Sequence, residues 1–219
     1  MILDIPKILA KFLHFSFDLL YHQLAWGYDL VAWLVSFGRW QSWILAALDR
    51  LDLTEGGRVL ELGFGPGHLQ FEMRRRGITC LGIDESRQMC RIARRRLNKT
   101  EAGIARGLAG RLPLANESFD AVVATFPAEY IFDQQFLEDT RRVLRGRGKI
   151  LFLMGVEPGG ISLVDRLLRF LYRITDQDFQ SRLGPVEYLG RISALGFEVR
   201  TEAVEFNKDK LWMILGHKV

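Results

Sequence analysis

Between Arg58 and Ser86 the chain reads strand, glycine loop, helix, strand, acid, and few folds accept that order. An apolar strand, Val59-Leu60-Glu61-Leu62, leads into Gly63-Phe64-Gly65-Pro66-Gly67-His68. Glycine at alternate positions lets the backbone turn tightly and lets a ligand approach it closely. A second apolar strand, Cys80-Leu81-Gly82-Ile83, ends on Asp84. A carboxylate at that point is suited to accept both hydroxyls of a ribose. Together these features describe a βαβ unit that holds a nucleoside-containing cofactor. The dinucleotide pattern G-x-G-x-x-G is not met: the spacing is G-x-G-x-G, and His68 stands where the last glycine of that pattern belongs. No lysine follows as in a P-loop.

Three further segments extend the pattern in order. They are Gly82-Ile83-Asp84-Glu85-Ser86-Arg87-Gln88-Met89, Arg111-Leu112-Pro113-Leu114-Ala115-Asn116-Glu117-Ser118-Phe119-Asp120, and Arg141-Arg142-Val143-Leu144-Arg145-Gly146-Arg147-Gly148-Lys149. With the glycine loop they resemble the class I S-adenosylmethionine (SAM) methyltransferases. The similarity is to the small-molecule branch that includes the ubiquinone and menaquinone methyltransferases, and it covers roughly residues 55–155. The resemblance implies SAM as cofactor and assigns roles. Gly63, Gly65 and Gly67 let the backbone pass the methionine and ribose portions. Glu61 organises the loop and approaches the amino end, and Asp84 takes the ribose hydroxyls. Ser86 and Met89 fall where the family packs near adenine, with plain helix core as the alternative for Met89. One departure stands out: the branch has Asp-Ala before its Leu-Pro segment, the acid receiving the adenine amino group, and here Leu108 and Ala109 occupy those positions. Phe126 and Pro127, after the fourth strand, border the methyl-transfer position.

The remaining strands and helices alternate as in a wound parallel sheet. Strands are expected at Arg58–Leu62, Thr79–Ile83, Gly103–Ala105, Asp120–Ala124, Lys149–Met154, Phe197–Glu205 and Lys210–Gly216. Helices are expected at Gly67–Arg76, Ser86–Leu97, Asp133–Leu144 and Pro185–Leu195. The fold class is therefore α/β: a Rossmann-like, seven-stranded, mostly parallel sheet with an antiparallel C-terminal hairpin and helices on both faces. Residues 53–219 form the SAM-binding domain, with a helical insertion at 157–184, and residues 1–52 form a helical N-terminal segment.

That first segment is unusual. Asp4, Lys7, Lys11, His14 and Asp18 make one narrow polar stripe on an otherwise apolar helix. Charges interrupt it too often for a membrane span, and it lacks the basic start and cleavage site of a signal peptide. Its wide apolar face is expected to bury itself in the protein's own core and substrate pocket, against a second copy of the chain in a homodimer, or on a bilayer surface. In Ile161–Ile174, Leu163, Leu167 and Leu171 oppose Arg166, Arg169 and Arg173, a pattern for a cap helix over the pocket or for contact with anionic lipid.

Composition narrows the rest. The chain has 219 residues, 48% of them hydrophobic, enough for one substantial core. Its two cysteines, Cys80 and Cys90, exclude a disulfide framework and fit a cytoplasmic location, with membrane association as an alternative. The net charge of +4 comes with arginine runs that read as solvated helix faces, and no nucleic-acid module accompanies them. No histidine–carboxylate spacing suggests a metal. Methyl transfer from a sulfonium needs alignment and exclusion of water, not a metal or a covalent residue. If a base acts on a phenol or enol, His22 is the candidate, and Tyr21, Tyr28 and Tyr130 are candidate gating or orienting residues. The absence of N-P-P-Y after strand four argues against adenine and glutamine amino groups as acceptors. A hydrophobic small molecule is expected instead: a quinone precursor, a phenol or a lipid headgroup. The competing reading is a SAM-fold binding protein acting through its N-terminal helix.

Overall fold

The computed structural model describes residues 36, 38–53, 56–97, 103–160, 165–166 and 185–219. The elements, in chain order, begin with α1 (Trp40–Leu48), β1 (Arg58–Leu62), α2 (His68–Arg75), β2 (Thr79–Asp84), α3 (Arg87–Arg96) and β3 (Ile104–Arg106). They continue with β4 (Phe119–Thr125), a 3-10 turn (Glu129–Phe132), α4 (Gln134–Val143), β5 (Leu144–Glu157), α5 (Pro185–Ala194), β6 (Phe197–Phe206) and β7 (Asp209–Lys218). The strands form one sheet of seven in the order β3-β2-β1-β4-β5-β7-β6. β1 to β5 pair in parallel, and β7 runs antiparallel between β5 and β6. This is the expected Rossmann-like sheet with its antiparallel hairpin. The hairpin turns through Asn207 and Lys208, with Phe206 opposite Asp209 and Asn207 at a φ of 56°. Asparagine tolerates that left-handed geometry better than most residues.

Alternation along each strand sends side chains to two cores. Leu60, Leu62, Val122, Ala124, Ile150 and Phe152 pack with α4 and α5. Val59, Val123, Leu151, Leu153 and Met213 pack on the other face with α1 and α2. α1 completes this second core: Trp43 and Ala47 are fully buried there. The division at residue 52 therefore separates α1 from strands whose core it fills. Residues 1–35 and 37 of the N-terminal segment and 161–164 and 167–184 of the insertion lie outside the described residues, and with them His22, Tyr21 and Tyr28.

One strand differs from expectation. β5 starts at Leu144 rather than Lys149, because Leu144 already pairs with Phe119. The register then shifts before Ala121 pairs with Lys149, and Arg147 takes a φ of 62° within that irregularity. The Gly146-Arg147-Gly148 sequence is a bulge in a strand. Arg145 holds its start, donating to both oxygens of Asp120 at 2.7 and 2.9 Å.

Candidate active site

The C-terminal ends of β1, β2 and β4 lie side by side: Glu61 pairs with Gly82 and Val123, and Leu62 with Ile83. The glycine loop, Asp84 and Phe126 therefore share one edge of the sheet, where α/β folds place their ligands.

Three glycines of the loop have left-handed φ values, each for a different reason. Gly63, at 72°, would drive a Cβ to 2.5 Å from the Tyr130 hydroxyl. Gly67, at 82°, precedes α2 and would put a Cβ 2.9 Å from the Cβ of Ala93 on α3. Gly65, at 52°, faces open space. Of the three, Gly65 leaves backbone open to a ligand, while Gly63 and Gly67 bring protein parts together. Phe64 between them is buried against Gly82, whose missing side chain makes the room.

Asp84 is 2% exposed and organises the loop. Its Oδ2 accepts from the Gly65 N–H at 2.8 Å and its Oδ1 from the Ser86 N–H at 2.8 Å. Its carbonyl accepts from Gly107 N–H, which ties the exit of β3 to the same point. Ser86 caps α3, its hydroxyl accepting from the Met89 N–H at 3.3 Å, and the Met89 side chain is fully buried. Leu108, next to Gly107, is 50% exposed, and Ala109 is partly buried against the core. The Leu112–Asn116 segment that follows is fastened by Arg142, which donates to the carbonyls of Leu112 and Leu114.

Glu61 is buried beside this centre. Burial, opposed by a hydrogen bond from Gln70 and reinforced by the Asp84 charge, pushes its pKa up to about 8. Gln70 Nε2 donates to Glu61 Oε2 at 2.9 Å. Gln70 is missed by sequence reasoning, although a signal exists. It lies one helical turn before Met73 on the buried side of α2, and a polar group there needs a partner.

Tyr130 donates its hydroxyl to the Leu62 carbonyl at 3.1 Å and packs on Phe136. Burial first, then the Asp84 and Glu61 carboxylates, push its pKa well above the ordinary phenol range. It is a neutral hydroxyl that braces the start of the glycine loop. Its turn is braced in turn by Tyr188 of α5, which donates to the Ile131 carbonyl at 2.6 Å. Phe126 holds a φ of 49°, uncommon for a bulky residue and often found at functional sites. Its N–H donates to Leu153, and its ring stacks on Trp40 at 4.0 Å.

Cys90 and Cys80 do not face this chemistry as nucleophiles. Burial raises both thiol pKa values, that of Cys80 to about 11. Among the described residues no group of three or more histidines, cysteines and carboxylates is arranged to hold a metal. No helix among them is long and apolar enough to cross a membrane. Two grooves among the described residues lie at the opposite edge of the sheet; one of about 840 Å³ is lined by Arg147, Lys149, Arg200 and His217.

Residues 60–152 match a family model described as a methyltransferase domain. The chain is 33% identical over 133 residues to a demethylmenaquinone methyltransferase of Tropheryma whipplei, a match that spans 60% of this chain and 56% of that relative. It is 31% identical over 170 residues to the ubiquinone/menaquinone biosynthesis C-methyltransferase UbiE of Syntrophotalea carbinolica, covering 75% of this chain and 70% of that protein. The chain belongs to the class I S-adenosylmethionine-dependent methyltransferases. Solved methyltransferases share its fold. A SAM-dependent methyltransferase of Thermotoga maritima superposes with a TM-score of 0.58 at 23% identity, covering 88% of this chain and 95% of the other. A phosphoethanolamine N-methyltransferase of Haemonchus contortus in complex with SAM superposes with a TM-score of 0.61 at 18% identity, covering 83% of this chain and 53% of the other. The donor set of this methyltransferase fits SAM: a buried carboxylate at the end of β2 for a diol, a second at the end of β1 for an ammonium, and open backbone at Gly65 between them.

Proposed function

We propose that this chain methylates a ring carbon of a reduced quinone that carries an apolar tail. The match to the Syntrophotalea C-methyltransferase, which runs through 70% of that protein, carries the reading. The aromatic pair at the exit of β4 supports it, because the stack of Trp40 on Phe126 places a partly buried aromatic pair beside the strand ends. SAM supplies the electrophilic methyl group on its sulfonium. The chain's own residues bind and orient. Asp84 and Gly65 take the ribose side, Glu61 the ammonium, and Leu108 offers apolar surface where relatives use an acid. The ring carbon gains the methyl and loses its proton to water or a nearby base. Direct displacement of the methyl group by the ring carbon requires no covalent enzyme intermediate.

The test is direct. The protein is incubated with SAM and a chemically reduced, prenylated 1,4-naphthoquinone, and products are followed by mass spectrometry. A gain of one CH2 unit on the ring, with release of S-adenosylhomocysteine, is expected. Methylation confined to an oxygen, or none of this probe while a phenol or lipid amine is methylated, overturns the acceptor.

A further inference from the structure

The first turn of α1 meets the sheet through a cluster of charges that the cofactor site does not use. Arg39, just before α1, donates from one terminal nitrogen to Asp209 Oδ1 at 2.7 Å and from the other to Asp165 Oδ1 at 2.9 Å. The second oxygen of Asp209 accepts from the indole N–H of Trp43 at 2.9 Å. The second oxygen of Asp165 accepts from Lys208 at 2.9 Å. Both aspartates are nearly inaccessible, with side chains 1% and 2% exposed, while Arg39 is 19% exposed. Removing one partner would strand a buried charge, a large cost compared with that of a surface ion pair.

The place of this cluster gives it meaning. Asp209 opens β7, and Lys210 pairs with Glu157 at the end of β5, so the cluster lies on the edge that carries the glycine loop and Phe126. It joins the hairpin turn, the residues after β5 and the start of α1. The residue that follows Arg39 is Trp40, whose ring lies on Phe126 with an interplanar angle of 26°. Trp43, one turn on, tilts toward the same phenylalanine with ring centroids 6.4 Å apart and is itself fixed by Asp209. The far end of α1 is anchored separately, by Lys149 on the Leu51 carbonyl at 3.1 Å.

We infer that Arg39 is a positioning residue for the acceptor: held between Asp165 and Asp209, it fixes the first turn of α1 so that Trp40 stacks on Phe126 and the outer face of that stack is the surface against which a planar ring docks. This rests on the proposed acceptor class, and it adds a specificity element that acts on the acceptor side alone. Phe126 is held by its strained backbone and its bond to Leu153; Trp40 depends on α1, and the start of α1 depends on the buried ion cluster.

The experiment compares Arg39→Ala, Trp40→Ala and the double variant, with the reduced prenylated naphthoquinone as probe. Each single variant is expected to raise KM for the probe about tenfold, with kcat and SAM affinity held within about threefold. The double variant should be no worse than Trp40→Ala, because Arg39 acts through Trp40. Additive losses, or a parallel loss of SAM affinity, overturn the inference. Should Arg39→Ala not fold, Asp165→Asn keeps the shape, removes the charge and is expected to shift KM in the same direction. If the unaltered protein leaves the probe untouched, the acceptor reading fails by itself. The positioning claim is then read from tryptophan fluorescence, with Trp40→Phe identifying the Trp40 contribution. Arg39→Ala should shift that emission to the red and make it more quenchable by acrylamide. An unchanged Trp40 signal rejects the inference.

Discussion

At the scale of single residues, a carboxylate's role depends on what has already claimed its oxygens. Asp84 holds Gly65 and Ser86 through both oxygens and still has lone pairs for a diol. It therefore shapes the loop and has acceptor capacity left for a ligand. Asp84→Asn keeps the shape but turns one acceptor into a donor facing an N–H. SAM affinity measured by calorimetry should fall about ten- to a hundredfold, and the melting temperature should fall with it. An affinity loss without any thermal change would show that Asp84 does not hold the loop. The converse variant is Leu108→Asp. Leu108 is exposed beside the Asp84–Gly107 junction, at the position where the family resemblance implies an acid. A carboxylate there needs no burial, and SAM binding is expected to tighten by about threefold to tenfold. Weaker binding would mean that the leucine itself packs on the adenine.

At the scale of elements, the glycine loop is a joint as much as a binding surface. Gly67 lets α2 start where α3 passes, since Ala93 sits within contact distance of the missing Cβ. The basic end of α3 reinforces the joint, Arg96 reaching the Pro66 carbonyl, while Arg76 beyond α2 bonds Glu72 and Asp49 and ties α2 to the end of α1. Gly67→Ala combines a left-handed φ with a steric clash. It is expected to cost about 2 kcal/mol or more and to lower the melting temperature by about 4–8 °C. Gly65→Ala has a left-handed φ but open space around it, so it should cost less stability and proportionately more SAM affinity. Equal thermal losses for the two would remove the distinction. The G-x-G-x-G spacing was legible in the sequence, whereas this division of labour was not. It depends on which side chain of a distant element stands over each Cα, and Tyr130 and Ala93 lie far along the chain from the loop.

At the scale of the whole molecule, Glu61 couples folding, pH and cofactor. The unfolded chain releases this proton above about pH 4.5, and the folded protein keeps it to about 8. Between those values the folded state binds more protons, so the group's contribution to stability declines as pH rises through that window and levels off above it. A cation beside Glu61 reverses the preference. SAM binding near neutral pH should release a proton, and its affinity should climb with pH up to about 8. Calorimetry in buffers of different ionisation enthalpy measures the release directly. In Glu61→Gln the released proton should vanish, together with most of the pH dependence. Unchanged proton release in that variant would place the titrating group elsewhere.

Much of this molecule follows from local rules. The order of strands and helices, the βαβ unit, the hairpin and the acids at the ends of β1 and β2 are written in short-range periodicity and turn chemistry, which act over a few residues at a time. The family resemblance of residues 55–155 is of the same kind. Tertiary structure decided what long-range contact alone sets. It made α1 part of the sheet's core, began β5 at Leu144 with a bulge before Lys149, and laid Tyr130 on the Leu62 carbonyl. It also brought Arg39, Asp165 and Asp209 together in one buried cluster. Each of those three residues alone reads as a surface charge. Only the folded sheet, by carrying the ends of β5 and β7 to the start of α1, takes them out of water and obliges them to pair.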